Sequence, residues 1–454
     1  MSVREWLGEG SLGLVRRILF FIPVFFIESG TVSFDRIIAC EYCGYLGQQA
    51  VMHGGAYTSL YQSSTVFIAY ALQIFAGQRF GEKKYHLVGP IFWQFVWFFF
   101  ISYLVIAPLS LKGAYPYFNS LPFAEQATQI TSISSFVYIV WPIKALFIAL
   151  SGVINRPKIS LFFTTITSCL YIPVVWYCAS LFQDVRVFPY VNAARECFAV
   201  LLFVLFFLRK NRWKHFGMHQ WTVDFPLMRE NISMGISRGM HRFNTLIGLV
   251  VSNAMSIHHQ DHNVMEAYNL TMLLSFLVAP IHLAIRQMVV SACSQWIGEQ
   301  RRSILEPCMR AGGLVSLLIG GSLALPLLHT PSILVSIHLI PPSFSGSDVL
   351  PTTCFWLWVF FIMEGINSIL TGVLIALQEV NFLFAINAFA SWIILNGGIF
   401  FFIYNEPHPS VHFLAFSCLG VVFLASASLW RLQTHFKQRP RLQQKVLMDQ
   451  QSKA

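Results

Sequence analysis

Apolar residues come in long runs along this chain, each closed by a short polar stretch. A helix needs ~20 apolar residues to cross the hydrocarbon layer of a bilayer. Runs of that size lie at 18–39, 51–77, 88–110, 131–153, 159–182, 188–208, 231–256, 268–297, 312–335, 352–377, 381–404 and 410–430. They predict an all-α polytopic membrane protein of twelve transmembrane helices. The second run closes on Gln78-Arg79-Phe80-Gly81-Glu82-Lys83-Lys84, and the eighth closes 217 residues later on Gln295-Trp296-Ile297-Gly298-Glu299-Gln300-Arg301-Arg302. A second echo, at an offset of 220, sets Ile143-Lys144 and Ser151-Gly152-Val153 against Met363-Glu364 and Thr371-Gly372-Val373. Two anchors at nearly equal offsets predict duplication of a unit of about 200 residues, too long for a solenoid repeat. The expected organisation is a first six-helix lobe over 1–208, a linker over 209–230, a second six-helix lobe over 231–430 and a basic tail over 431–454.

Composition agrees with this reading. Fifty-six per cent apolar and 11 per cent charged residues cannot be hidden in a soluble globule of 454 residues. The net charge of +10 suggests nucleic acid only until the charges are located. Of thirty Lys and Arg, twenty-two fall on the side of the amino tail, in Arg16/Arg17, alternate loops and the stretch from Arg431. Three (Arg36, Lys112, Arg186) fall on the other side, and five (Lys144, Arg195, Arg238, Arg242, Arg286) lie inside runs. Basic loops resist translocation, so both termini are expected in the cytosol and no nucleic-acid partner is needed. A plasma-membrane protein is expected, in a bacterial inner membrane and as a monomer. An even number of helices per copy makes both lobes enter from one side, related by an axis along the membrane normal. The first run follows Arg16 and Arg17 with no small-residue cleavage site behind it, so it is expected to stay.

Ionisable residues inside the runs carry the candidate chemistry, because a charge at bilayer depth costs ~2.5–3.5 kcal/mol on insertion scales. Glu28 and Asp35 stand seven apart on one face of the first helix, with a pair between Asp35 and adjacent Arg36 as the alternative. Tyr61-Gln62 lies in a polar stretch of the second. Lys144 follows Pro142 too deep for easy snorkelling. Arg195 and Glu196 read as a local pair near the outer face. Arg238, His241 and Arg242 share a face of the seventh helix, open to snorkelling or to a cavity. Arg286 lies about eleven residues, or ~16 Å of helix, before its loop. Glu364 is the carboxylate of an otherwise neutral tenth helix, followed by Asn367 and Ser368. The third helix, with Trp93 and Trp97, reads as mostly lipid-facing bulk. Cys40 and Cys43 are read as small apolar side chains, and His258-His259-Gln260-Asp261-His262 as a solvated turn, for want of metal-site support.

These residues resemble the multidrug and toxic compound extrusion (MATE) family, of the MOP flippase superfamily. Gln78 with Gly81, and Gln295 with Gly298, match its pattern at the end of helix two. Arg156-Pro157-Lys158 looks like its loop after helix four, and Gly235 and Gly239 like two thirds of its helix-seven Gly-x-Pro-x-Gly, with Ser237 for proline. Glu364, eight before Gly372, matches its buried helix-ten acid, and Glu379 the acid after that helix. The family's helix-one acid falls on Ala39, one turn from Asp35, and its helix-seven acid on Thr245, beside Asn244. The resemblance implies two pseudo-symmetric six-helix lobes around a central cleft, and exchange of a small-molecule substrate for H+ or Na+. Coupling would rest on Glu364, with Asp35 or Glu28 in the other lobe. Lys144, Arg286, Arg242, Asn244, Tyr61, Gln62 and Asn367 would be cleft candidates, with no cofactor beyond the coupling ion.

Other function classes find less support. There is no G-x-x-x-x-G-K-[ST] loop for a nucleotide-driven pump, and no H-E-x-x-H or G-x-S-x-G for a membrane enzyme. Lone acids in non-equivalent helices suit coupled exchange better than a channel's selectivity ring. Export of drugs or amphipathic organic compounds is one reading. Export or flipping of an anion, an organic acid or a lipid-linked phosphate, is the other, because Lys144 stands at the repeat position of Glu364.

Overall fold

Gly44 turns the chain between its first two spans. Its φ of 72° lies in the left-handed region, which glycine enters without a Cβ clash. Helix α1 (Ser11–Ala69) is therefore two arms, and α2 (Leu72–Gly81) carries the second arm back. Arg17 near the start of the first arm and Gly81 at the end of α2 both meet Gln295, so the two arms are antiparallel. The computed structural model describes residues 11–119, 121–207, 209, 214–258, 281–324, 350–403 and 409–451. It continues with α3 (Val88–Phe118), α4 (Ala124–Ser134), α5 (Val137–Val153), α6 (Pro157–Phe182) and α7 (Val187–Phe207). After the linker come α8 (Phe225–His258), α9 (281–298), α10 (Leu305–Ala324), α11 (Leu350–Ala376), α12 (Val380–Phe389), α13 (Gly397–Ile403) and α14 (Pro409–Gln451). No strand occurs among the described residues.

Among the described residues, six helical segments are long and apolar enough to cross a membrane, or seven when the bent pair α4–α5 counts as one span. Other predicted spans run into residues outside the described set. Leu104, Trp176, Tyr177 and Leu205 are exposed along the helices, as a lipid-facing surface requires. Between helices the hydrophobic effect is spent, so association rests on close packing and polar contacts.

The two copies of the repeated phrase end in the same backbone turn. At the end of α2, Glu82, Lys83 and Lys84 N–H donate to the carbonyls of Gln78, Phe80 and Arg79. At the end of α9, Glu299, Gln300 and Arg301 donate to Gln295, Ile297 and Trp296. Lys83 and Gln300, 217 apart, both take positive φ, 61° and 60°. A 3-10 turn follows each, Tyr85–Leu87 and Arg302–Ile304, before α3 and α10 begin. Outside the membrane here, Lys84 and then Arg79 hold the Glu82 carboxyl below the usual carboxylate range.

The second echo is shifted. The turn Ile154-Asn155-Arg156 after α5 has the hydrogen bonds of Leu377-Gln378-Glu379 after α11, 223 residues on. Asn155 and Gln378 again share positive φ. In this register Lys144 corresponds to Asn367, one turn past Glu364 on the same face, and the equivalence of Lys144 with Glu364 is corrected. Letter identity aligned the glycines, whereas the backbone aligns the helix ends.

Other sequence expectations change too. The fourth span bends by 51° between α4 and α5, and the eleventh is interrupted by a π-helical stretch, Ala390–Asn396. The third helix is not only lipid-facing bulk, because α3 holds the linker. Trp93 Nε1 donates to the Met218 carbonyl, Trp97 Nε1 to Trp221, Gln94 Nε2 to Thr222, and Gly89 N–H to Phe216. The expected tail is a continuation of α14, which Glu379 anchors through Arg431 at 3.1 Å and His435 at 3.1 Å.

Candidate functional site

Polar side chains gather at three places in the bundle. The first joins four spans of the first half. Lys144 on α5, 3% exposed, lies 2.7 Å from Glu28 of α1 and 2.6 Å from Glu196 of α7, itself 1% exposed. Arg195 pairs with the other Glu196 oxygen at 2.6 Å and donates at 2.7 Å to Thr31, whose hydroxyl donates to the Glu28 carbonyl. One turn along α1, Asp35 accepts the Tyr171 hydroxyl of α6 at 2.8 Å, and the Arg195 guanidinium lies 4.7 Å from the centre of the Tyr171 ring. The cost of burying these charges is offset because each is paired, and the two acids holding Lys144 come from different helices.

The second group lies between α9 and α11. Arg286 Nη2 is 2.6 Å from Glu364 Oε1 and donates at 3.2 Å to Ser368. Asn367 Nδ2 donates at 2.9 Å to the other Glu364 oxygen. Both members of the pair keep some exposure, 13% for Arg286 and 19% for Glu364. His282, one turn before Arg286, is buried, and neither ring nitrogen has a well-formed hydrogen bond.

The third is the seam between the halves, where the repeated phrase meets its own copy. A Cβ added to Gly81 would stand 2.2 Å from the Gln295 carbonyl oxygen, and one added to Gly298 would stand 2.2 Å from that of Gln78. Each phrase thus lends its glycine to the other's backbone. Further along, Gly77 faces Ser294, while Gly235 and Gly239 of α8 pack on Ile68 and Ser64 of α1. Gln73, Ser291 and Ser294 line the same seam with side-chain polar atoms that have no partner. Arg238, 2% exposed, donates at 2.8 Å to the Tyr70 carbonyl and at 2.7 Å to Gln287 Oε1. Both acceptors are neutral, and no carboxylate pairs with it among the described residues.

The sequence candidates divide accordingly. Glu28, Asp35 and Lys144 meet in the first group, and Arg286, Glu364 and Asn367 in the second. Glu364 is not a lone acid, and Lys144 and Arg286 are not free cations. Asp35 bonds Tyr171 across helices rather than standing only beside Arg36. Asn244 accepts the Trp392 indole N–H at 2.5 Å, away from both groups. Tyr61 belongs to an aromatic set with Tyr57 and Tyr138, ring centres 5.6 and 5.9 Å away, and Gln62 is buried next to it. The side chains of His241, Arg242, Thr245 and His258, and residues 259–262, lie outside the described residues.

Spacing alone does not mark Glu196 as a site residue, because beside Arg195 it reads as half of a local pair near the surface. The signal was its depth: nine residues into α7 is ~14 Å of helix, already well inside. Tyr171, Gln287 and Ser316 carried no charge to draw attention.

Neither a family model nor a curated protein sequence matches the chain. Solved structures do, at 12% identity. A MOP superfamily transporter from Pyrococcus furiosus superposes with a TM-score of 0.84 over 94% of this chain and 97% of its own. A multidrug resistance MATE family transporter in an outward-facing conformation gives 0.81 over 94% and 97%. A eukaryotic MATE transporter gives 0.80 over 93% and 96%. The chain therefore has the fold of the MATE and MOP-superfamily transporters, and with its apolar spans it is a multi-pass membrane protein.

Proposed function

We propose that this chain is a secondary transporter working by alternating access, and that a coupling cation, H+ or Na+, acts at Glu364. The supporting observation is the Arg286–Glu364 pair, 2.6 Å long and partly exposed between two helices. A cation arriving at the carboxylate takes the place of the guanidinium, and an ion pair with two discrete partners gives the two-state element that coupling needs. The glycine-on-backbone seam closes the end that carries Arg17, which the charge bias assigns to the cytosol. In this reading it parts when the halves rock. The cargo is a drug or amphipathic organic compound, for which the Tyr57, Tyr61 and Tyr138 rings offer a surface, and the protein works as a monomer in a bacterial inner membrane. In vesicles, Glu364→Gln is expected to reduce gradient-driven efflux to background, and unchanged efflux by that variant rejects the proposal.

A second reading concerns the cargo's charge. The cations of both ion-pair groups are neutralised, and Arg238 is left with neutral acceptors at the seam. That excess favours an anionic cargo. The Pyrococcus furiosus transporter of the same fold is described as having a binding pocket of reverse polarity that suggests a different function. Arg238→Gln is expected to weaken retention of carboxyfluorescein and to leave that of ethidium unchanged. Equal loss of both dyes returns the cargo to the first reading.

A further inference from the structure

His282 is the one ionisable group of the second cluster that the ion pair does not use. It sits on α9 four residues before Arg286, so both side chains project from one face of that helix toward α11. It is 2% exposed, and its ring centre is 5.7 Å from that of Phe361. The Phe361 carbonyl lies within its reach, yet neither ring nitrogen makes a well-formed hydrogen bond. A buried polar group left without a partner costs about 1–3 kcal/mol, so an unpartnered imidazole in the middle of a helix bundle needs an explanation.

The surroundings supply one. Nε2 is 3.6 Å from where a Cβ on Gly365 would stand, directly after Glu364 in the chain. The same position is 2.1 Å from Ser316 Oγ of α10, a hydroxyl that also lacks a partner. Gly365 thus keeps a small polar space between His282, Ser316 and the Glu364 backbone. The charged groups facing His282 are Arg286 on its own helix and Glu364 on α11. Glu306 and Arg310 of α10 pair with each other at its exposed end.

The Glu364 oxygens are occupied in this arrangement, because Arg286, Asn367 and Ser368 all donate to them. The unpartnered basic nitrogen of the group belongs to His282.

We propose that His282 is the proton-binding group of the transport cycle, and that its protonation replaces Arg286 as the partner of Glu364. This rests on the reading of Glu364 as the coupling acid. A proton from water adds to the free ring nitrogen and makes an imidazolium with two N–H donors. One donor goes to the Glu364 carboxylate, and the Arg286 guanidinium is released toward the cleft. Reopening to the other side returns the proton to water and Arg286 to Glu364. The coupling ion is then H+ and not Na+.

The test uses the purified full-length protein. In side-chain 15N spectra, the signal absent from His282→Asn is assigned to His282 and titrated. It is expected to gain a proton as the pH is lowered and to shift its titration in Glu364→Gln. In liposomes, ethidium and carboxyfluorescein fluxes are followed under a pH gradient or a sodium gradient. His282→Asn is expected to lower pH-driven flux by about tenfold or more and to flatten its pH profile, with dye binding at fixed pH unchanged. A His282 signal that stays neutral throughout, a preserved pH profile in His282→Asn, or flux driven by sodium alone overturns the inference. If Glu364→Gln abolishes flux in those cases, the Glu364 reading stands without it, and if Glu364→Gln has no effect both fall.

Discussion

Gly81→Val and Gly298→Val are each expected to force the seam open at the end of the bundle that carries Arg17. Each glycine approaches a backbone carbonyl of the opposite copy, with 2.2 Å left for any Cβ. The obstacle is a carbonyl within a hydrogen-bonded helix end, so no rotamer change relieves it and the helices themselves must separate. The reporter is Ser294→Cys, whose position faces Gly77 across the seam and is buried. Labelling of that thiol by a water-soluble maleimide is expected to be slow in the parent and to rise by about tenfold or more with either valine. Transport should fall in parallel, because a protein that cannot close one end cannot alternate. Slow labelling and normal flux in both valine variants would show that the contact is not a closure.

Lys144→Met is expected to be the most damaging substitution in the first group. It leaves Glu28 and Glu196 facing one another without the ammonium that lies 2.7 and 2.6 Å from them, and Glu196 keeps only Arg195. Removing one partner of a buried pair costs about 3–5 kcal/mol, because the remaining charge stays desolvated. The check is folded yield and thermal stability in detergent. Lys144→Met combined with Glu28→Gln should recover much of the loss, since Glu196 then keeps Arg195 as its partner and no charge is left stranded. A single variant as stable as the parent would show that the network carries no net stabilisation.

Much of the architecture was legible in the order of residues. Runs of apolar residues need no tertiary partner to declare themselves, since a span is defined by length and hydropathy alone. The repeated Gln-x-x-Gly phrase announced the duplication, and the loops it opens do take the same turn twice, with Lys83 and Gln300 in the same unusual conformation. Buried charge was legible as well: Glu28, Lys144, Arg286 and Glu364 were singled out by depth, and each lies in an ion-pair group.

Which charge meets which was not legible. The sequence sets Glu196 beside Arg195, and nothing in the spacing says that α7 turns it toward Lys144 on α5. The offset of 220 matched letters, and only the helix ends moved the register to 223 and Lys144 away from Glu364. Helix periodicity assigns a residue to a face, but the neighbour of that face is chosen by packing between elements far apart in the chain. Spans, copies and the presence of buried charge were thus determined by local sequence, whereas the pairing of Arg286 with Glu364, the neutral acceptors of Arg238 and the unpartnered ring nitrogens of His282 were decided by how the helices lean on one another.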